Sequence, residues 1–402
     1  MKERNISNDL LRILATFMVI ILHVNDRIPQ KDSLETIMFY FSEVLSLIAV
    51  PIFFMLSGNL LLSPVNSRYE TPFIFYKKRL TKVFIPFMLW SLFYIYNTTG
   101  VTGVLQGLKS ITLFPAAGHL WYIYPLLGYY LITPWLRDCF NRVDEKQNRI
   151  VIYLWGLFVV LGSTFDMIIP GYNINHYSGE STVVIRSHIF GPLSTVFPLF
   201  GNIGFFMYGA YIEKDSKKIP FSIISIVYLI GACLTFLLGY YSQTIDSVLA
   251  WWNYTTLGIV LQSIAVYMFF AKSMITVKGK LQKLIVKISN LTLHAYFVHY
   301  YLIEQLTKYF PNLFLKNFLT SLVFTSILVF ILLMAFYYVP KLTLLIVPTL
   351  TDSLSKMKGK HLYASPRILQ INVIRFIILK VEPNLISASN DVPVSTQFQT
   401  AR

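Results

Sequence analysis

Apolar residues in this chain gather into long runs, at about 6–24, 36–62, 83–97, 119–136, 150–169, 192–212, 220–240, 248–271, 286–307 and 318–339. A helix that crosses a bilayer needs roughly 20 mostly apolar residues, so the runs predict about ten spanning helices. Membrane barrel strands alternate apolar and polar positions over about ten residues, whereas Ile219 to Gly239 and Phe318 to Val339 are apolar on every face. The pattern therefore predicts an all-α, polytopic transmembrane helix bundle. No repeat of fixed period divides it, and one membrane domain over 1–350 is expected. Ser, Thr, Asn and Lys accumulate over 351–402. That stretch reads as a cytoplasmic tail in which Arg367 to Val381 forms an amphipathic helix on the inner leaflet and the last twenty residues are disordered.

Composition narrows the class. Of 402 residues, 55% are hydrophobic and 13% charged, a balance that a soluble domain rarely shows. The net charge of +15 points first to nucleic acid, but the position of the charges gives a different answer. Basic residues concentrate in cytoplasmic loops. With the N-terminus inside, the cytoplasmic segments hold 27 of the 34 Lys and Arg, which predicts an even number of spans with both ends cytoplasmic. The basic excess then reflects topology and anionic lipid headgroups, and no aromatic-interleaved basic patch argues for nucleic acid. Cys139 and Cys233 are the only cysteines and offer no disulfide framework or CxxC metal site. The first apolar run lacks a small-residue cleavage site and reads as a retained helix. The expected location is a bacterial inner membrane.

Charged side chains inside spanning helices cost several kcal/mol on insertion scales, so each is a candidate for a site. The first run has Asp9, Arg12 and His23. Asp9 and Arg12, three residues apart, share a helical face and can pair. His23 follows Arg12 by eleven residues, which at about 100° each is about 20° past three turns, with a rise of roughly 16 Å. One polar stripe thus runs from the inner surface outward. An anchor at the inner surface plus a structural histidine at the outer one would leave the same pattern.

Further along, Ser57 and Gly58 permit close helix packing, on a run that also carries Glu43. Lys77, Lys78, Arg79 and Lys82 begin the third run, where a charge cluster serves topology and equally suits the phosphates of a nucleotide or of coenzyme A. His119, Trp121 and Tyr122 enter the fourth run from outside. Most aromatics there are interfacial anchors, but His119 falls at the level of His23. His294 and His299 lie five residues apart and do not share a face as an i, i+4 metal pair would, so no metal site is assigned. G-x-S-x-G, P-loop and H-E-x-x-H patterns are missing.

Four segments in order resemble the membrane acyltransferase-3 family of acyl-CoA-dependent O-acyltransferases. Asn8-Asp9-Leu-Leu-Arg12 with His23 looks like its Arg-x10-His motif, and Phe53-Phe-Met-Leu-Ser57-Gly58 like its FF-x-L-SG motif. His119-Leu-Trp121-Tyr122 with Tyr130 and Pro134 resembles its H-L-W segment, and Tyr296-x-x-His299 its Y-x-x-H. The resemblance implies His23 as catalytic histidine with Arg12, and Asp9 beside it, as companions. It also implies cytoplasmic acyl-CoA, acetyl-CoA in the first instance, as donor, and a hydroxyl of an extracytoplasmic glycan or its lipid-linked precursor as acceptor. Donor phosphates would fall to Arg79, Lys82 and Lys78, and the acceptor side to His119, Trp121, Tyr122, Glu43, Ser57 and His299. The family's arginine pair R-x-x-R stands here as Arg79-x-x-Lys82; Lys keeps the charge without the planar fork. The compact form is similar to members that O-acetylate surface polysaccharides such as enterobacterial common antigen. A succinyl donor on the same fold, or an exporter of polysaccharide or small molecules, is the alternative; the exporter would show paired helix breaks in two repeated halves.

Overall fold

The computed structural model describes residues 4–63, 70–111, 114–168, 173–178, 181–186, 201–244 and 253–336. The expected tail helix at Arg367 to Val381 lies outside them, with the rest of the 351–402 tail. The described residues are helical apart from one antiparallel hairpin. Its strands β1 (Asn173–Ser178) and β2 (Ser181–Arg186) pair with Asn173 opposite Arg186.

Helix α1 (Ile6–Asn25) starts where the Asn5 side chain accepts from Asn8 N, 3.2 Å away. The run expected as one helix over 36–62 is two, α2 (Ser33–Ser46) and α3 (Ala49–Leu62). Pro51 explains the break, because it has no N–H to return to Leu47 and starts a new helix well in its first turn. Asp32 caps α2, accepting from Glu35 N at 2.8 Å. α4 (Pro72–Arg79) passes through a π turn, Leu80–Phe84, into α5 (Ile85–Ser110), so the third helix starts well before the apolar run does. α5 is broken at Gly100, whose φ of 65° a residue with a side chain rarely adopts.

A 3-10 turn at Gly118–Tyr122 leads into α6 (Ile123–Arg142). α7 (Glu145–Trp155) continues through a π turn into α8 (Leu161–Ile168). The run expected at 192–212 is described from residue 201, as short helices α9 (Ile203–Tyr208) and α10 (Ile212–Lys218). α11 (Phe221–Thr244), α12 (Leu257–Ser273), α13 (Gly279–Tyr309) and α14 (Phe318–Phe336) complete the bundle.

Among the described residues, five helical segments are long and apolar enough to cross a membrane: Ile6–Asn25, Ser33–Leu62, Glu145–Phe165, Phe221–Tyr241 and Phe318–Ala335. Leu229, Ile230, Leu237, Phe324, Ile327 and Ile331 are exposed along α11 and α14, as expected where lipid replaces water. α1 is central, packing against α2, α3, α12, α13 and α14. Its C-terminal half, through Ile20 and Val24, shares one apolar cluster with α13 and α14, and its N-terminal half, through Leu11 and Ala15, shares another with α3 and α6. A helix packed on so many sides holds its polar residues at fixed positions.

Candidate functional site

Three imidazoles meet where α1, α13 and the 3-10 turn converge. The ring centroids of His23 and His299 are 5.2 Å apart, those of His119 and His299 5.0 Å, and those of His23 and His119 6.4 Å. His119 and His299 are buried. His119, expected from the order of the runs at the level of His23, has its ring 6.4 Å from that of His23, centroid to centroid.

Aromatic side chains fix these rings. Tyr300 stacks on His119 at 5.0 Å and stands edge-on to His23 at 5.5 Å, while Arg27 Nη2 donates to the Tyr300 hydroxyl at 3.0 Å. The Tyr296 hydroxyl donates to the His119 carbonyl, and the Tyr94 hydroxyl to the Phe297 carbonyl at 2.9 Å. His299 Nδ1 lies 2.7 Å from the Tyr296 carbonyl and 3.2 Å from that of Ala295. Carbonyls only accept, so Nδ1 carries the hydrogen and Nε2 is a bare acceptor. Nε2 is buried with no hydrogen-bond partner, as are both ring nitrogens of His119. His23 keeps one ionic neighbour, with Asp26 Oδ2 3.6 Å from its Nδ1. Such a group can accept a proton and stabilise the cation that results.

A cavity of about 180 Å³ opens beside His23 and His119, walled by Phe53, Trp121, Tyr122, Tyr254 and Tyr296. Trp121 stacks on Tyr254 at 5.4 Å, making a flat aromatic wall.

The other end of the α1 stripe is ionic. Asp9 is buried and accepts from Arg4 Nε at 2.6 Å, Arg4 Nη2 at 2.8 Å, Ser289 Oγ at 2.6 Å and Arg12 Nη1 at 3.3 Å. Arg12 Nη1 also donates to Ser289 Oγ at 3.1 Å. The expected Asp9–Arg12 pair is present, but Arg4 holds the carboxylate more tightly. Nearby, Arg79 Cζ lies over the rings of Phe75 and Tyr130 at 4.8 and 5.5 Å, and Tyr130 feels both Arg79 and Arg12. Lys82 is exposed on the π turn; Lys78 is exposed and bound to Glu70, 2.5 Å away.

Two residues assigned to the acceptor side sit elsewhere. Glu43 is buried and receives a hydrogen bond from Asn25 Nδ2 at 2.6 Å, which ties α2 to the last turn of α1 just past His23. Ser57 is hydrogen-bonded to the Tyr122 hydroxyl and so supports the cavity wall from behind. Neither lines the cavity. Arg4, Ser289, Tyr254 and Tyr300 escaped the sequence reading: Arg4 precedes the apolar run, Tyr254 sits between helices, and Ser289 and Tyr300 carry no charge to mark them. Among the described residues, no group of three or more His, Cys, Asp or Glu is placed to hold a metal ion.

A family model described as an acyltransferase domain, that of the acyltransferase-3 family, matches residues 5–339. No curated protein and no solved structure matches the chain.

Proposed function

Because the chain belongs to the acyltransferase-3 family, we propose that it is an inner-membrane O-acyltransferase that moves an acyl group, acetyl first among them, from cytoplasmic acyl-CoA to a hydroxyl of a cell-surface glycan or its lipid-linked precursor. In this reading about ten helices cross the membrane and both termini are cytoplasmic. The observation that carries it is the cluster of His23, His119 and His299, two of which, His23 and His119, line one cavity, with a cationic cluster at the opposite end of the same helix. At 1.5 Å per residue the two ends are roughly 16 Å apart, a span suited to a donor with a charged head and a reactive thioester at the end of a long arm.

His23 takes the proton of the attacking sugar hydroxyl as its oxygen bonds to the thioester carbonyl carbon. The C–S bond then breaks, and the imidazolium returns the proton to the leaving thiolate. Asp26, on the Nδ1 side, favours the imidazolium in between. The Trp121–Tyr254 wall offers the sugar ring an apolar face. A cavity of about 180 Å³ is smaller than the 300–1,000 Å³ usual for drug-sized ligands, which favours a short acyl group.

The test is transfer of radiolabelled acetyl from acetyl-CoA into cell-envelope glycan, in membranes carrying the wild type or His23→Ala at equal abundance. Label with wild type and none with His23→Ala is expected. Equal label from both would remove His23 from the chemistry, and no label from either with acetyl-CoA or succinyl-CoA would remove the acyltransferase reading.

A further inference from the structure

The family's arginine pair stands here as Arg79 and Lys82, and Lys82 is exposed on the π turn. A second arginine nevertheless stands beside Arg79. Arg137 comes from α6, and its Cζ lies 4.9 Å from the centroid of the Phe75 ring that Arg79 approaches at 4.8 Å, so the two guanidiniums are at most about 10 Å apart. Among the described residues, the only hydrogen bond of the Arg137 guanidinium runs from Nε to the Leu61 carbonyl at 2.6 Å, leaving its Nη groups for an acceptor. The Nε of Arg79 is buried and has no hydrogen-bond partner among the described residues.

One carboxylate sits among these cations. Glu70 binds Lys78 and lies close enough to Arg79 and Arg137 to interact with both. Burial works against its charge, but the Lys78 hydrogen bond and the three cations outweigh burial and hold the carboxyl below its ordinary range. Three cations facing one carboxylate leave two positive charges unmatched, the number a terminal phosphate carries near neutrality. Tyr130 connects this cluster to Arg12, and through it to the stripe that leads to His23.

We infer that Arg79 and Arg137, flanking Phe75, form the subsite for the nucleotide phosphates of the acyl donor, and that Glu70 is a built-in competitor which the phosphate displaces. The inference rests on the acyl-CoA reading above and names residues of the donor site that no spacing motif marks. Displacement makes anion affinity adjustable: the bound phosphate gains the fork of Arg137, but must replace a carboxylate already held there.

The experiment measures binding of adenosine 3′,5′-bisphosphate to the full chain in nanodiscs of phosphatidylcholine by calorimetry, beside the acetyl-CoA KM in the transfer assay. Arg137→Gln should weaken binding and raise KM about tenfold with a smaller change in kcat, Arg137→Lys should fall between it and wild type, and Glu70→Gln should tighten binding severalfold. Glu70 precedes α4, and Glu70→Gln gives up a bond to the exposed Lys78 rather than a contact between two helices, so it reports even if Arg137→Gln is unstable for want of its Leu61 bond. Unchanged binding and KM in Glu70→Gln and Arg137→Gln, with wild type still transferring label, would overturn this inference alone. Wild type that neither binds nor transfers would overturn the donor reading with it. If phosphatidylglycerol in the nanodisc abolishes nucleotide binding and Arg137→Gln removes that effect only, the subsite belongs to a lipid headgroup and the inference fails.

Discussion

Gly58 sits where α3 crosses the segment that leads out of α9. A Cβ built there would lie 1.7 Å from the Phe206 carbonyl oxygen and 2.7 Å from its carbon, and one built on Gly209 would lie 2.1 Å from the Met55 oxygen. The two backbones therefore approach through reciprocal glycines, and Asn59 Nδ2 donates to the Gly209 carbonyl at 3.2 Å across the same contact. Because the obstacle facing Gly58 is backbone, no rotamer change relieves it. Gly58→Ala must part the segments by more than 1 Å, at about 1–3 kcal/mol for overpacking, and strains the Asn59 bond, worth about 1 kcal/mol. At about 2.1 cal/mol/K of unfolding entropy per residue, a total of about 2–4 kcal/mol in a chain of 402 residues corresponds to a melting point lower by about 2–5 °C. Heating in detergent followed by size-exclusion chromatography measures it. Phe53, on the same helix, lines the cavity, so kcat should fall as well. Ser57→Ala is the control, since it removes only a hydroxyl bound to Tyr122 and should cost about 1 kcal/mol. A Gly58→Ala protein that melts with the wild type would refute the claim that this glycine is a backbone contact.

Asp9→Asn removes the charge that Arg4 and Arg12 share; with Arg4 43% exposed, the loss should be about 2–3 kcal/mol, below the range for a fully buried pair, and Arg4→Ala should cost under about 1 kcal/mol in the same melts. Tyr296→Phe frees the His119 carbonyl and should lower stability by about 1 kcal/mol while slowing transfer severalfold, read as kcat at unchanged acetyl-CoA KM. Glu70 has a lowered carboxyl pKa in the folded state, so its stabilisation is present at neutral pH and disappears as pH falls through that lowered value. Wild type should therefore melt above Glu70→Gln at neutral pH and converge with it in acid, and a constant difference across the range would contradict the ion cluster.

How far the sequence discloses this arrangement depends on where each residue sits. The α1 stripe was legible because helical periodicity is local: Asp9, Arg12 and His23 share a face whatever surrounds them. His119 and His299 were legible as histidines in apolar segments, but their meeting with His23 depends on the crossing of α1 with α13, which no local pattern encodes. Arg137 reads in sequence as one more cytoplasmic charge at a helix end, and only the packing of α6 on α4 brings it to Phe75. Glu43 misled in the opposite direction. A carboxylate in an apolar run invites a functional role, yet here it receives Asn25 and braces the end of α1. The split of 36–62 was visible in Pro51, but hydropathy outweighed it because the apolar run continues across the break from α2 into the more hydrophobic α3.

The histidine cluster also bears on why the site is built of aromatics. A buried polar nitrogen without a hydrogen bond costs about 1–3 kcal/mol, and among the described residues His119 and His299 leave three between them, two acceptors and one N–H when both rings are neutral. A fold stabilised only by removing such costs would replace these rings with Phe. Their retention inside a box of Tyr94, Tyr296 and Tyr300, which holds the rings by ring contacts and by bonds to the His119 and Phe297 carbonyls, leaves His299 Nε2 and the His119 ring nitrogens without a side-chain partner among the described residues, while His299 Nδ1 is held by the Tyr296 carbonyl. The tyrosines thus supply rigidity without occupying the atoms that receive a proton. On the transfer reading this separation matters, since a histidine tied down through both nitrogens is well ordered but cannot act as a base.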